Sequence, residues 1–240
     1  MKRFKRHMMY ALVVCLLSCK DQRPSDSVFS TDPLIENKDT TSENIPRDPK
    51  ATKAPVITIT QDNLMDFLGP FGSRTTQNKV LLKTTMGDIV IELFEETPLH
   101  RANFLYLTQM GYFDQTFFHR VVPNFIIQGG NSDNISTSRK RKALGNNYRL
   151  PSEVNPGRKH RYGTVSGAKE YRKNKEKMSA PYEFFIFLGP DTSTRHLNGE
   201  YTIFGQVIHG MDVVETIANL PTDSGEWPKT NVFIEAKIIN

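Results

Sequence analysis

Short apolar segments of strand length, parted by turn residues and broken by only two substantial stretches of helical period, confine this chain to a mainly β architecture. The pattern begins near Lys79. Val80 and Leu82, then Ile89, Ile91 and Leu93, flank Met86-Gly87-Asp88 as two strands flank a tight turn. Further strand-length segments lie at residues 125–128, 164–167, 184–188, 202–208 and 232–239. One helix is expected to start at Thr97, an N-cap, with Pro98 at its first position; Leu99, Ala102, Leu105 and Tyr106 then recur at three- and four-residue spacing up to Gly111. A second, short helix is expected around residues 213–218, after Gly210. Many strands with only two helices fit a closed barrel, which leaves no sheet edge to solvent. Upstream, residues 62–68 suit a short helix stopped by Gly69-Pro70, with Phe67, Leu68 and Phe71 offering an apolar face that docks on the main domain.

One run departs chemically from the strand pattern. Phe118-His119-Arg120-Val121-Val122-Pro123-Asn124-Phe125-Ile126-Ile127-Gln128-Gly129-Gly130 threads a histidine, an arginine and a glutamine through an otherwise apolar segment. Such side chains among apolar neighbours need partners or a task. Arg120 reads either as an ordinary edge-strand charge or as a functional donor.

At the N-terminus, Lys2, Arg3, Lys5 and Arg6 precede an apolar run from Met8 to Leu17, too short for a membrane span and suited to the core of a signal peptide. Leu16-Leu17-Ser18-Cys19 resembles the bacterial lipobox, in which the cysteine becomes the lipidated first residue of the mature chain; the other reading is a plain cleaved signal with an incidental cysteine. Residues 1–18 carry four of the 31 Lys and Arg and none of the 26 Asp and Glu, so their removal leaves 27 against 26. The apparent basicity belongs mostly to the discarded segment. Cys15 leaves with it and Cys19 carries the lipid, so no pair remains for an intramolecular disulfide. Acyl chains on Cys19 form a tether, not a transmembrane helix. Residues 20–55, rich in Asp, Ser, Thr, Asn, Lys and Pro, read as a disordered linker. As a flexible coil, that segment spans roughly 30 to 35 Å. Lys20 stands where an aspartate-based inner-membrane retention signal would need an acidic residue, which favours the outer membrane of a bacterial cell envelope.

The later segments carry several blocks in a fixed order: Leu82-Lys83-Thr84-Thr85-Met86-Gly87-Asp88-Ile89-Val90-Ile91-Glu92-Leu93, Thr97-Pro98, Asn103-Phe104, Gly111-Tyr112-Phe113-Asp114, the 118–130 run, Gly163-Thr164-Val165-Ser166-Gly167-Ala168, Phe184-Phe185-Ile186, residues 197–207 and Gly210-Met211-Asp212-Val213-Val214. Together they resemble the cyclophilins, the peptidyl-prolyl cis/trans isomerases, over residues 79–240, and the 118–130 run is similar to the family's signature segment. The resemblance implies a closed eight-stranded antiparallel β-barrel capped by two helices. Together with the reading of the N-terminus, it gives an expected organisation into a lipoprotein signal at 1–18, lipidated Cys19 and linker to 55, a short extension at 56–78 and the isomerase domain at 79–240.

The same resemblance assigns the site. Arg120 matches the family's catalytic arginine, a donor aimed at the prolyl nitrogen that favours the twisted, pyramidal amide. Phe125, Ile126, Phe185, Leu197 and Tyr201 match the apolar cup for the proline ring, although Phe125, Phe185 and Leu197 also read as plain core residues. Gln128 is expected to bond the substrate backbone and steady Arg120, and Ala168 with its neighbouring backbone to pair with an extended peptide. His119 is expected at the pocket edge or in a structural role, because the mechanism transfers no proton. Three positions depart from the family. Glu183 replaces a glutamine, with Tyr182 before it in place of a small polar residue; its carboxylate is expected to touch the substrate side of the groove and to pair with Arg120 or Lys169. Lys169 replaces an asparagine, and His196 the tryptophan of eukaryotic members, which implies weak cyclosporin binding.

Residues 131–182 hold 13 Lys and Arg against four Asp and Glu, either a solvated loop or a patch that attracts acidic polypeptides, anionic glycans or lipid head groups. Asp191, Ser193 and His196 lie too close together in one polar loop to form a hydrolase relay, and the six histidines show no metal-ligand spacing. The expectation is a monomeric isomerase acting on X-Pro bonds of exported, unfolded or extended polypeptides, held to the membrane by its lipid, with no metal, cofactor or nucleic acid. The second reading is a cyclophilin-fold chaperone or peptide-binding module with little turnover.

Overall fold

The computed structural model describes residues 56–170 and 173–240; the signal segment, Cys19 and the linker expected at residues 1–55 lie outside them. The opening hairpin forms between β1 (Lys79–Thr84) and β2 (Gly87–Leu93), with Val80 opposite Ile91 and Leu82 opposite Ile89. These four side chains point inward and are fully buried. Six more strands follow: β3 (Thr116–Val122), β4 (Ile126–Asn131), β5 (Thr164–Gly167), β6 (Phe184–Phe187), β7 (Ile203–His209) and β8 (Phe233–Ile239). They close with the hairpin into an antiparallel barrel in the order β1-β2-β7-β5-β6-β4-β3-β8. The expected eight-stranded architecture is therefore the one observed, and closure leaves every strand paired on both sides.

Four α-helices accompany the barrel among the described residues, one more than the three expected. The two expected to cap the barrel are present. In α2 (Pro98–Gln109) every residue from Leu99 to Thr108 is buried, and the helix packs on β7 and β8. Thr97 does not cap it; the Thr97 hydroxyl turns back to the Phe94 carbonyl at 3.4 Å. Glu153, far along the chain, supplies the cap, its two carboxylate oxygens accepting the Leu99 and His100 amides at 2.9 Å each. A full negative charge at the helix N-terminus also meets the positive end of the helix dipole, which a threonine hydroxyl cannot match. The short helix α4 (Met211–Ala218) covers β2, β3 and β4.

The first unexpected extent is that of α1 (Leu64–Arg74), which runs through Gly69-Pro70 instead of stopping there. Pro70 is exposed, so the helical bond it cannot donate leaves an acceptor to water rather than to the core. Continuation buries the other face: Phe67 and Phe71 meet the Tyr106 ring edge-on at 4.8 and 5.5 Å. Buried Arg101 of α2 then clamps the end of α1, its guanidinium donating to the carbonyls of Gly72 (3.2 Å), Thr75 (2.7 Å) and Gln77 (2.9 Å). Ile59, upstream of α1, is also buried.

The second is α3 (Ile135–Leu144), inside the segment whose charge suggested a solvated loop. Asn134 caps it by accepting the Ser136 amide at 2.9 Å. Its cations are put to structural use: Lys140 reaches the carbonyls of Gly111 (2.7 Å) and Asp114 (2.6 Å), and Arg141 reaches the Tyr112 hydroxyl at 2.8 Å. Carbonyls left over after α2 thus gain donors that the local backbone cannot provide.

Gly145 closes α3 at φ +119°, with its α-carbon pressed on the extension: a Cβ there would sit 1.9 Å from the Ile59 carbonyl oxygen. Only glycine accepts both the dihedral and the contact. Gly145→Ala is expected to lower stability by about 2–3 kcal/mol and to release residues 56–60. Urea unfolding and limited proteolysis of the N-terminal segment measure this; wild-type values in both would contradict the packing described.

Candidate active site

The register between β3 and β4 places the arginine of the signature run. Phe118 lies opposite Gly129 and Arg120 opposite Gln128, so His119 is an extra residue on β3, a bulge. Phe118 points into the barrel and is fully buried. In a regular strand Arg120, two residues on, would point the same way; the bulge turns it to the outer face. Gln128 in turn lies opposite Phe185 on β6, and Phe185 opposite Ser166 on β5. Directly opposed residues of antiparallel strands share a face, so Arg120, Gln128, Phe185 and Ser166 form one row across four strands on the outside of the barrel.

Beside this row lies a second apolar cluster, distinct from the barrel core: Ile126, Phe185, Phe187 and Leu197, with Val122, Phe125 and Tyr201 packed on them. It frames a cavity of about 240 Å³ lined by Arg120, Phe125, Ile126, Gln128, Ala168, Lys169, Phe185, His196, Leu197 and Tyr201. The structure thus brings together eight of the ten residues expected to catalyse or to touch substrate, from β3, β4, β6, the turn after β3 and the loops after β5 and β6. Phe125 reaches the lip because Asn124 adopts φ +57° in a turn closed by the Phe125 amide on the Val122 carbonyl at 3.1 Å. Ile126, Phe185 and Leu197 are buried and also line the cavity, so core and pocket placements do not exclude one another there, whereas Phe125 is half-buried at the lip.

Three contacts differ from those expected, at Glu183, Gln128 and Ala168. Glu183 does not reach Arg120 or Lys169, and it lies outside the cup. Its carboxylate accepts the Gln128 amide at 3.0 Å and lies 3.6 Å from His119 Nε2 and 3.5 Å from Arg141. Burial alone would raise its pKa, but His119, Arg141 and Gln128 together hold it below the usual carboxylate range. His119, the bulged residue, also lies outside the cup wall, between Glu183 and the Trp227 ring, 5.9 Å away. Gln128, engaged with Glu183, is not what steadies Arg120; Glu226 is, its Oε2 accepting from Arg120 Nε at 2.6 Å. Ala168 lines the cavity, but its amide already donates to the Glu183 carbonyl (3.1 Å) and its carbonyl accepts from Ala180 (2.7 Å). Its N–H is therefore committed before any peptide arrives. Lys169 is likewise engaged, 3.1 Å from Glu200 and with its ammonium 4.8 Å above the Tyr201 ring.

His160, unmarked in the sequence among Lys159 and Arg161, supports the cup from behind. Its ring stacks on Phe185 (centroids 5.9 Å apart, planes at 8°). Nδ1 lies 2.9 Å from Asn198 Oδ1, and Nε2 lies 3.0 Å from Ser166 Oγ. Through Asn198 it fixes the loop that carries Leu197; through Ser166 it fixes the row that carries Phe185. Burial chiefly, and His196 nearby, push its pKa down against the opposing pull of Asn198, so the neutral ring is the resident form.

A second constellation has the outline of a hydrolase relay: Glu153 lies 2.6 Å from His100 Nδ1, and His100 Nε2 lies 2.9 Å from Ser179 Oγ. His100 is 2% exposed and Ser179 1%, and the cavity beside them measures about 10 Å³, room for a water at most. With Glu153 committed to the α2 N-terminus, this relay holds α2 to the loop before β6.

The comparisons with known proteins agree with this geometry. The family model described as "Cyclophilin type peptidyl-prolyl cis-trans isomerase/CLD" matches residues 79–238. A peptidyl-prolyl cis-trans isomerase-like 1 from Neurospora crassa is 36% identical over 163 residues, which cover 67% of this chain and 93% of that protein. Peptidyl-prolyl cis-trans isomerase A of Dickeya dadantii is 32% identical over 178 residues, 73% of this chain and 87% of that one. Among solved structures, a cyclophilin-type isomerase from Cryptosporidium parvum, crystallised in the presence of the dipeptide Ala-Pro, is 32% identical with a TM-score of 0.56, covering 68% of this chain and 99% of its own. The chain belongs to the cyclophilin-type peptidyl-prolyl cis-trans isomerases and is an enzyme of that class.

The buried neutral His160 makes stability pH-dependent in a definite direction. In the unfolded chain it takes up a proton near pH 6.5, in the folded chain only at lower pH. Its contribution is therefore complete above pH 6.5 and is lost as pH falls through the folded value. Glu183, held below the ordinary carboxylate value of 4.5, acts only under that pH, outside this window. Between pH 7 and 5 the wild type should lose more stability than His160→Asn, measured by urea unfolding at each pH; equal slopes would contradict the assignment.

Proposed function

We propose that this isomerase turns X-Pro bonds at Arg120, with the proline ring seated among Phe125, Ile126, Phe185, Leu197 and Tyr201. The observation that carries the reading is the cross-strand row, which sets a 38% exposed guanidinium on the rim of an apolar cavity. The barrier to rotation is about 18–20 kcal/mol because resonance gives the C–N bond partial double-bond character. As the bond twists, the nitrogen lone pair leaves the carbonyl and becomes an acceptor; a fixed N–H donor then binds the twisted state better than either planar one. Lowering the barrier by about 7 kcal/mol gives roughly a 10⁵-fold acceleration, with no covalent intermediate. The Cryptosporidium relative crystallised with Ala-Pro supports proline-containing peptides as substrates. The reading as a chaperone with little turnover rests on Glu183 and on the basic segment 131–182; Glu183 is held away from Arg120 by His119, Gln128 and Arg141, which favours turnover.

The clients we propose are exported, unfolded or extended polypeptides. The domain acts as a monomer in a bacterial cell envelope, tethered by acyl chains on Cys19, with the outer membrane favoured. The signal-like N-terminus and lipobox support this placement.

Arg120→Ala should lower kcat/KM for a proline peptide about 10²–10³-fold, the usual loss when one aligned transition-state donor is removed. A protease-coupled assay measures it, and a variant with the wild-type rate would refute Arg120 as the donor. Cys19→Ser should abolish an acyl mass increment on the full chain expressed in a bacterium; persistence of the increment would refute lipidation at Cys19.

A further inference from the structure

We infer that Glu226 is a positioning residue for Arg120, holding the guanidinium in its working orientation before substrate binds; the inference rests on Arg120 being the donor. The contact itself is short, Glu226 Oε2 to Arg120 Nε at 2.6 Å, between side chains 44% and 38% exposed. The loop around Glu226 is built to present it. Asp223 Oδ1 accepts the amides of Gly225 (2.8 Å) and Trp227 (3.0 Å), and the Asp223 amide donates to the Trp227 carbonyl at 2.9 Å. Inside this tight loop Glu226 takes φ +63°, a left-handed conformation uncommon for a glutamate.

The loop is tied to β3 on both sides of Arg120. The Glu226 carbonyl accepts the Val121 amide at 2.9 Å, and the Trp227 ring lies edge-on to Phe117 at 5.3 Å. The carboxylate is thus referenced to the strand that carries the arginine. By taking Nε, it fixes the plane of the guanidinium while leaving the two terminal nitrogens, which hold four of its five N–H donors, for a substrate in the cup. A long arginine on an open rim otherwise samples many rotamers, and ordering it during the reaction would raise the barrier. An exposed ion pair contributes little to stability, so the effect should fall on turnover and not on folding.

The test is the protease-coupled assay on the full chain, using a short peptide with one Ala-Pro bond. Glu226→Ala should lower kcat about tenfold with KM and melting temperature unchanged, and Glu226→Gln, which keeps an acceptor without the charge, should retain part of the rate. Raising the salt concentration should bring the wild-type rate towards that of Glu226→Gln and leave Glu226→Ala unaffected. In an Arg120→Ala background, Glu226→Ala should cause no further loss. Wild-type turnover in both Glu226 variants, equal losses in both backgrounds, or a loss that tracks a falling melting temperature would overturn the inference. If Arg120→Ala is inactive while Glu226→Ala is fully active, only the role of Glu226 fails; if Arg120→Ala keeps the wild-type rate, the donor reading fails first.

Discussion

A single extra residue on β3 governs the outer face of this barrel. With His119 bulged, Phe118 stays in the core while Arg120 turns outward into the row formed by Gln128, Phe185 and Ser166. A strand in strict alternation would drive a guanidinium into the apolar interior, at a desolvation cost no available partner could offset. The bulge resolves the conflict between an apolar strand and a charged residue within it, and the polar residue out of place becomes the one that faces the cavity.

The cup depends on the same row. Its apolar residues form a cluster separate from the barrel core, bounded on one side by strands and on the other by the loop of Leu197 and Tyr201. That loop has little regular structure of its own, only a 3₁₀ turn at Asp191–Thr194. His160 supplies what is missing, since one buried imidazole bonds Asn198 and Ser166 and stacks on Phe185. The electrostatics around the cup are compensated pairwise: Arg120 by Glu226, Lys169 by Glu200, Arg141 by Glu183. Of the cations in residues 131–182, Lys140, Arg141, Arg149, Arg158, Lys169 and Lys177 serve as donors to nearby carbonyls and carboxylates.

Seven of the eight strands are legible because each carries its own signal; β3 is not, since polar residues break the alternation in its segment, and β4 runs three residues past the expected 128. Residues 164–167 were assigned to the residue, and β6, β7 and β8 to within one residue at their ends, since alternation and turn residues are local. The cup residues were legible through the family pattern. The helix through Pro70 was not, because its stability comes from Tyr106 and Arg101 of α2 and not from its own propensities. Helix α3 was hidden for a related reason, its charged residues giving no sign that Lys140 and Arg141 would find acceptors on the loop after α2.

What the sequence determined by itself is the set of elements and the chemical identity of the site: an arginine, a glutamine and a group of aromatic and aliphatic residues on strand-length segments. Tertiary structure alone decided who partners whom. Arg120 and Glu226 are 106 residues apart, Glu153 lies 53 beyond His100 in the helix end it caps, and Gln128 and Glu183 are 55 apart. Such pairs follow from barrel closure. Because β8 pairs with β3, through Thr116 opposite Ile234 and Phe117 opposite Phe233, the loop that precedes β8 is delivered to the side of Arg120. An ion pair forms wherever closure brings two charges within reach, and no periodicity along the chain records that distance.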